Sequence, residues 1–130
     1  MKQLLLLSFL FGSLRLFSQT AQPIPHSQDF NTLASSGTGS TLPDGWAFSE
    51  SQANANTTYT AGTGSSNSGD TYSFGAASSS DRALGGVRSG NLAPLFGGLF
   101  VNNTGSTISS LTIAYTGEQW RLGTAGRTDR

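Results

Sequence analysis

Cysteine is absent from all 130 residues. That excludes disulfides, thiolate nucleophiles and cysteine-based metal sites together. Lysine occurs only at position 2 and histidine only at position 26. Charge is sparse: seven cationic and seven acidic residues give a formal net charge of zero. Without Lys2 and Arg15, five arginines face seven acids, a net charge of −2. The electrostatic footprint for nucleic acid is therefore missing, and nucleic acid is not an expected partner. The glycine-rich stretches hold no GxxxxGK[ST] phosphate loop. After the N-terminus no stretch carries a sustained 3.6-residue apolar period, which argues against an α-helical domain.

Aromatic residues are present at an ordinary 10%, and 17 glycines accompany a Ser- and Thr-rich background. A disordered chain is poorer in aromatics and usually richer in charge. Many short strands joined by Gly-rich turns account for this composition better. The length allows one domain.

Lys2 precedes an apolar run over residues 4–14, followed by Arg15. This is the form of a secretory signal peptide. The run is too short for a bilayer span of about 20 residues. Ser18 and Ala21 are the small residues that suit cleavage, so the expected division is a leader over 1–21 and a module over 22–130. The mature chain is expected to be secreted or held at the cell surface, without a membrane span.

Pro23, Pro25 and His26 predict an extended lead-in. Residues 29–33 offer a first short strand around Phe30. The turn Leu42-Pro43-Asp44-Gly45-Trp46 combines a fixed φ, a local Asp cap and a Gly able to take positive φ. Strands are expected at Trp46 and Phe48, around Tyr59, and at 71–74 with Tyr72 and Phe74 on one side. Residues 62–69 read as a flexible Gly/Ser connection. Further strand material follows around Leu84 and Val87 and over 95–101. The clearest pattern is 107–123, where Leu111, Ile113 and Tyr115 alternate with Thr112 and Ala114. A hairpin of 99–101 against 108–115 is predicted across Asn102-Asn103-Thr104-Gly105. Seven or eight strands recurring every 10–15 residues predict an all-β, antiparallel, jelly-roll-like β-sandwich.

Chemistry is thinly signposted. His26 sits beside two prolines, where a solvated tail residue is the default reading and a triad or metal role lacks a second holding group. A glycosidase needs two carboxylates at a set separation, and no pair stands out in the sequence. No cofactor is expected beyond a structural calcium, for which Asp70 and Asp81 lie in suitable Ser-rich loops; turn caps are the plainer role. A ligand platform would use an aromatic face with polar neighbours. Trp120, flanked by Arg121 and preceded by Glu118, is the best such candidate, although a core role is the commoner one for a strand aromatic.

The segments DFNTLASSGTGSTLPDGWAFSE, YTAGTGSSNSGDTYSFGA, SDRALGGVRSGN and FVNNTGSTISSLTIAYTGEQWRLGTAGRTDR carry a family signal, with LPDGW and YTGEQWR the most specific. In order and spacing they resemble the N-terminal jelly-roll-like module of secreted multidomain bacterial surface proteins of the Bacteroidetes type. The resemblance implies a non-catalytic extracellular module and supplies no catalytic residue. In those proteins more strand-forming sequence follows GRTDR, so the resemblance also implies a truncated module or a fragment. A carbohydrate-binding or adhesion module, with glycans or other surface proteins as partners, is the alternative reading. Part of a secreted hydrolase is the third.

Overall fold

The computed structural model describes residues 20–121, and within them the chain is an all-β sandwich with no helix and no closed barrel. Residues 1–19, most of the leader expected over 1–21, and residues 122–130, including the GRTDR end, lie outside the described residues. Among the described residues no helix is long and apolar enough to cross a membrane.

Eight strands follow in order: β1 (Gln22–Pro23), β2 (Thr38–Gly39), β3 (Trp46–Ser51), β4 (Tyr59–Gly62), β5 (Asp70–Phe74), β6 (Ala83–Val87), β7 (Ala93–Gly98) and β8 (Phe100–Val101). One sheet has the order β2-β4-β5-β6. The antiparallel pair β3-β7 packs against β5 and β6. A short parallel pair, β1-β8, ties the lead-in to the chain after β7. The β2-β4 and β5-β6 pairs are antiparallel, while β4 and β5 run parallel with Thr60 opposite Tyr72.

The core is small: Leu33, Tyr59, Tyr72, Phe74 and Leu92 are its buried apolar residues. β5 is its axis. The alternation that places Tyr72 and Phe74 on one face is realised, but the polar face is buried as well. Thr71 and Ser73 have no exposed surface. A strand covered on both sides must satisfy polar groups on its inner face. Thr71 bonds to Glu50 on β3, and the Ser73 hydroxyl donates to the Ala34 carbonyl.

The LPDGW turn forms as its residues dictate. The Trp46 amide donates to the Pro43 carbonyl at 3.0 Å, and Gly45 sits at φ 79°. A Cβ at Gly45 would strike the Gln22 side chain, so the turn also docks the lead-in. The lead-in is extended, but His26 is no solvated tail residue. It is half-buried, its ring lies 5.5 Å from that of Phe100, and its Nε2 is enclosed without a bonding partner.

Three further expectations are corrected. Residues 29–33 form a turn in which the Leu33 amide donates to the Phe30 carbonyl, with Phe30 at φ 62°. Asp29 caps that turn through the Asn31 amide, which removes the residue from strand duty. Residues 62–69 are not a loose connection. The Tyr72 hydroxyl bonds to the Ser66 hydroxyl and the Ser68 carbonyl, which folds the loop over β5.

The third concerns 107–121, which carries no strand and leaves Leu111, Ile113 and Tyr115 56%, 77% and 89% exposed. The predicted hairpin fails at both of its ends. Asn102 closes the turn with its side chain, bonding the Thr104 amide and the Ser106 carbonyl, so the chain does not fold back as a backbone ladder. At the far end Trp120 is anchored on β5 instead of near β8.

Candidate functional site

Glu118, Trp120 and Arg121 belong to one extended strap that crosses the 62–66 loop. Its anchor is a ring stack: Trp120 lies 6.1 Å from Phe74 with the planes only 6° apart. Phe74 stacks in turn on Tyr72 at 5.0 Å and 22°. Offset stacks of this kind contribute about 0.5–1.5 kcal/mol beyond burial. The Trp120 indole N–H donates to Glu118 Oε2 at 2.7 Å, which fixes the ring orientation from within the strap. Arg121 Nη1 donates to the Ser65 carbonyl at 2.8 Å and, more weakly, to that of Gly64 at 3.4 Å.

Gly64 explains why the strap fits. It takes φ 82°, and a Cβ built there would land on the Trp120 carbonyl. Only glycine allows backbone to approach backbone at that point at no steric penalty.

The 62–66 loop that the strap crosses also lines a cleft of about 240 Å³, to which no strap residue contributes. The 62–66 loop and Ser35 supply polar walls, Tyr72 and Phe74 an aromatic wall, and Ala76 and Ala77 a small-residue edge. Arg82 is its one charged lining residue. That side chain is only 4% exposed. Its Nε donates to Ser73 Oγ at 2.9 Å, Nη2 to the Ser73 carbonyl, and Nη1 to the Ala76 carbonyl at 3.4 Å. All three acceptors are neutral. The Arg82 amide also donates to Asn31 Oδ1, which secures the 29–33 turn to β6.

The carboxylates lie elsewhere. Asp70 and Asp81 are not brought together: Asp70 opens β5, opposite Val87, whereas Asp81 precedes the other end of β6. Asp81 is exposed, and its amide is capped by the Ser79 hydroxyl. Asp70 instead faces Glu50 of β3. Thr60 Oγ1 donates to Asp70 Oδ2 at 2.6 Å, and the Thr71 amide is shared between Asp70 Oδ1 and Glu50 Oε1. Glu50 also accepts from the Thr71 hydroxyl and the Asn56 amide.

The pair is electrostatically split. Burial pushes the Asp70 carboxyl up, opposed by the Thr60 bond and reinforced by the adjacent Glu50 charge. Burial also acts to raise Glu50, but bonds from Thr71 and Asn56 outweigh it and hold that carboxyl below its ordinary value. Like charges at close range separate in this way. Among the described residues no group of three or more His, Asp or Glu side chains is placed to hold a metal ion.

Two features were invisible to sequence reasoning. The Glu50–Asp70 pair joins strands of different sheets, twenty residues apart. Arg82 follows a Ser-rich loop and reads as a surface residue. Its one signal is that it is the first cation after Arg15, placed at the threshold of a strand.

No protein-family profile, curated protein or solved structure matches the chain.

Proposed function

We propose that the chain is a non-catalytic accessory β-sandwich module of a secreted or cell-surface protein, of the kind the LPDGW and YTGEQWR segments resemble. The observation that carries this reading is the use made of the carboxylates. Glu50 and Asp70 are absorbed into bonds that join β3, β4 and β5, and neither lines the cleft. Glu118 orients Trp120. A general acid and base need a substrate-sized space between them, and here the carboxylates and the cleft are separate. The leader supports export, with Lys2 ahead of the apolar run over 4–14.

The test is expression of the full chain in a secreting bacterium, with intact mass of the exported product and a screen on chromogenic glycosides and esters. The expected product begins at Gln19 or Gln22, is folded, and turns over nothing. Retention of the leader inside the cell would sink the export part. Turnover that disappears in Asp70→Asn would sink the non-catalytic part.

A second reading, a glycan-binding or adhesion module, is favoured by the half-buried Trp120 ring, stacked on Phe74, beside the hydroxyl-bearing 62–66 loop of the cleft. Aromatic faces with a few convergent polar groups are the usual means of holding a sugar ring in orientation.

A further inference from the structure

We propose that the cleft lined by the 62–66 loop and Arg82 binds a carboxylated sugar ring, with Arg82 as the group that selects its charge. The inference rests on the glycan reading of the same cleft and narrows it to one ligand class.

Arg82 is the decisive residue. A guanidinium carries five N–H donors and stays charged at any ordinary pH. Three of those donors are taken, all by neutral oxygens. One N–H on each terminal nitrogen remains. A buried cation without an anionic partner is costly in a low-dielectric interior, and pairing relieves that cost. Among the described residues the cleft lining offers no Asp or Glu to do so. An incoming carboxylate fits, because guanidinium and carboxylate make the strongest common charge-assisted bonds.

The other walls specify a ring. Thr63, Ser65 and Ser66 present hydroxyls, and the buried rings of Tyr72 and Phe74, 3% and 8% exposed and stacked on each other, close the floor as a small apolar surface. At about 240 Å³ the cleft lies below the roughly 300–1,000 Å³ of drug-sized sites, so it takes one ring with its neighbours outside. Arg121, bonded to the Ser65 carbonyl, adds a second positive charge beside the lining loop.

The experiment is titration of the full chain with sodium glucuronate and, in parallel, with glucose, followed by amide chemical shifts and calorimetry. Saturable shifts at Gly64 and Ser65 are expected with glucuronate, with at least tenfold weaker binding of glucose. Raising salt should weaken the glucuronate complex. Arg82→Gln should abolish the preference, but it also removes bonds inside the framework and can unfold the chain. Ala77→Asp therefore serves as the second variant: Ala77 is exposed at the cleft edge, and a carboxylate there would occupy Arg82 and repel the ligand. At least a tenfold loss of glucuronate binding with the fold intact is expected. Equal binding of glucose and glucuronate overturns the inference while leaving the glycan reading standing. Glucuronate binding that is unchanged in Ala77→Asp also overturns it. Binding of neither sugar overturns both and leaves the accessory-module reading.

Discussion

Gly64→Ala tests the strap most directly. An alanine at φ 82° bears about 1–2 kcal/mol of left-handed strain. Its Cβ would also collide with the carbonyl of Trp120. That atom is backbone, so no rotamer change relieves the clash, and the strap must lift. Lifting it forfeits the Phe74–Trp120 stack, about 0.5–1.5 kcal/mol. The Arg121 bonds are exposed and add little. The expected loss is therefore about 1.5–3.5 kcal/mol, from the strain and stacking figures together. Urea unfolding measures the loss, and the Trp120 indole N–H resonance, assigned with Trp120→Phe, measures the lifting. Gly64→Asn separates the two terms, since asparagine tolerates positive φ but carries the same Cβ. The double variant Gly64→Ala/Trp120→Ala should be less destabilised than the sum of its parts, because the stack is lost only once. The reasoning fails if Gly64→Ala and Gly64→Asn leave the Trp120 indole resonance unmoved, or if the double variant is simply additive.

Asp70→Asn removes one member of a like-charge pair and should stabilise the protein at pH 7 by a few tenths to about 1 kcal/mol. Its pH profile is the sharper readout. The raised Asp70 carboxyl takes up protons more readily in the folded state, so above its unfolded value of 3.8 its contribution improves as pH falls. The lowered Glu50 carboxyl contributes stability that is present above 4.5 and lost as pH falls through its depressed folded value. With Asp70 gone only the Glu50 term remains, so thermal melts between pH 6 and 3 should fall more steeply in the variant (a shallower fall would contradict the assignment). Tyr59→Phe leaves the Ala34 amide and the Thr41 carbonyl without their shared hydroxyl, for a loss of about 1–3 kcal/mol in chemical denaturation. Leu92→Ala truncates a residue only 1% exposed and should lose about 2–5 kcal/mol by the same method; a loss under about 1 kcal/mol would show that Leu92 lies outside the cooperative core.

Period-two alternation located β3 and β5, because each has an apolar face to bury, while β7 and β8 were found as an apolar run whose Leu95, Phe96, Leu99, Phe100 and Val101 stay exposed. Residue chemistry gave the turn at Asp44-Gly45, where it alone sets the backbone. It was silent on the polar face of β5. Thr71 and Ser73 read as solvent-facing, yet both are fully buried, because Glu50 and Arg82 arrive from distant segments to satisfy them. No local pattern encodes such a partner. The candidate site was legible only in part. Trp120, Arg121 and Glu118 do stand together, but as a strap across the 62–66 loop; the cleft that loop lines has Arg82 as its one charge among the described residues, which no spacing rule would have selected.

The 107–115 stretch shows where pattern reading ends. Alternation states that a segment has a face to cover; it does not state what covers it. Phe100 and Val101 are bonded to Gln22 and Pro23, a pairing that requires the lead-in to lie alongside them. The segment beyond is held instead by Trp120, whose ring stacks on Phe74 of β5, while the Phe100 ring of β8 is engaged by His26 and Trp46. A two-residue strand has few ladder bonds to offer, whereas the strap gains a ring stack and a charged bond to a loop carbonyl within two residues. The stronger anchor therefore sets the path of the chain, and Leu111, Ile113 and Tyr115 keep their alternation in a segment that joins no sheet. The Trp120 carbonyl also seats the strap on Gly64, a residue that lines the cleft. One of the two devices that break the predicted hairpin, the Trp120 anchor, is thus packed against the loop of the candidate site, and a variant that frees Trp120 should release the strap from that loop.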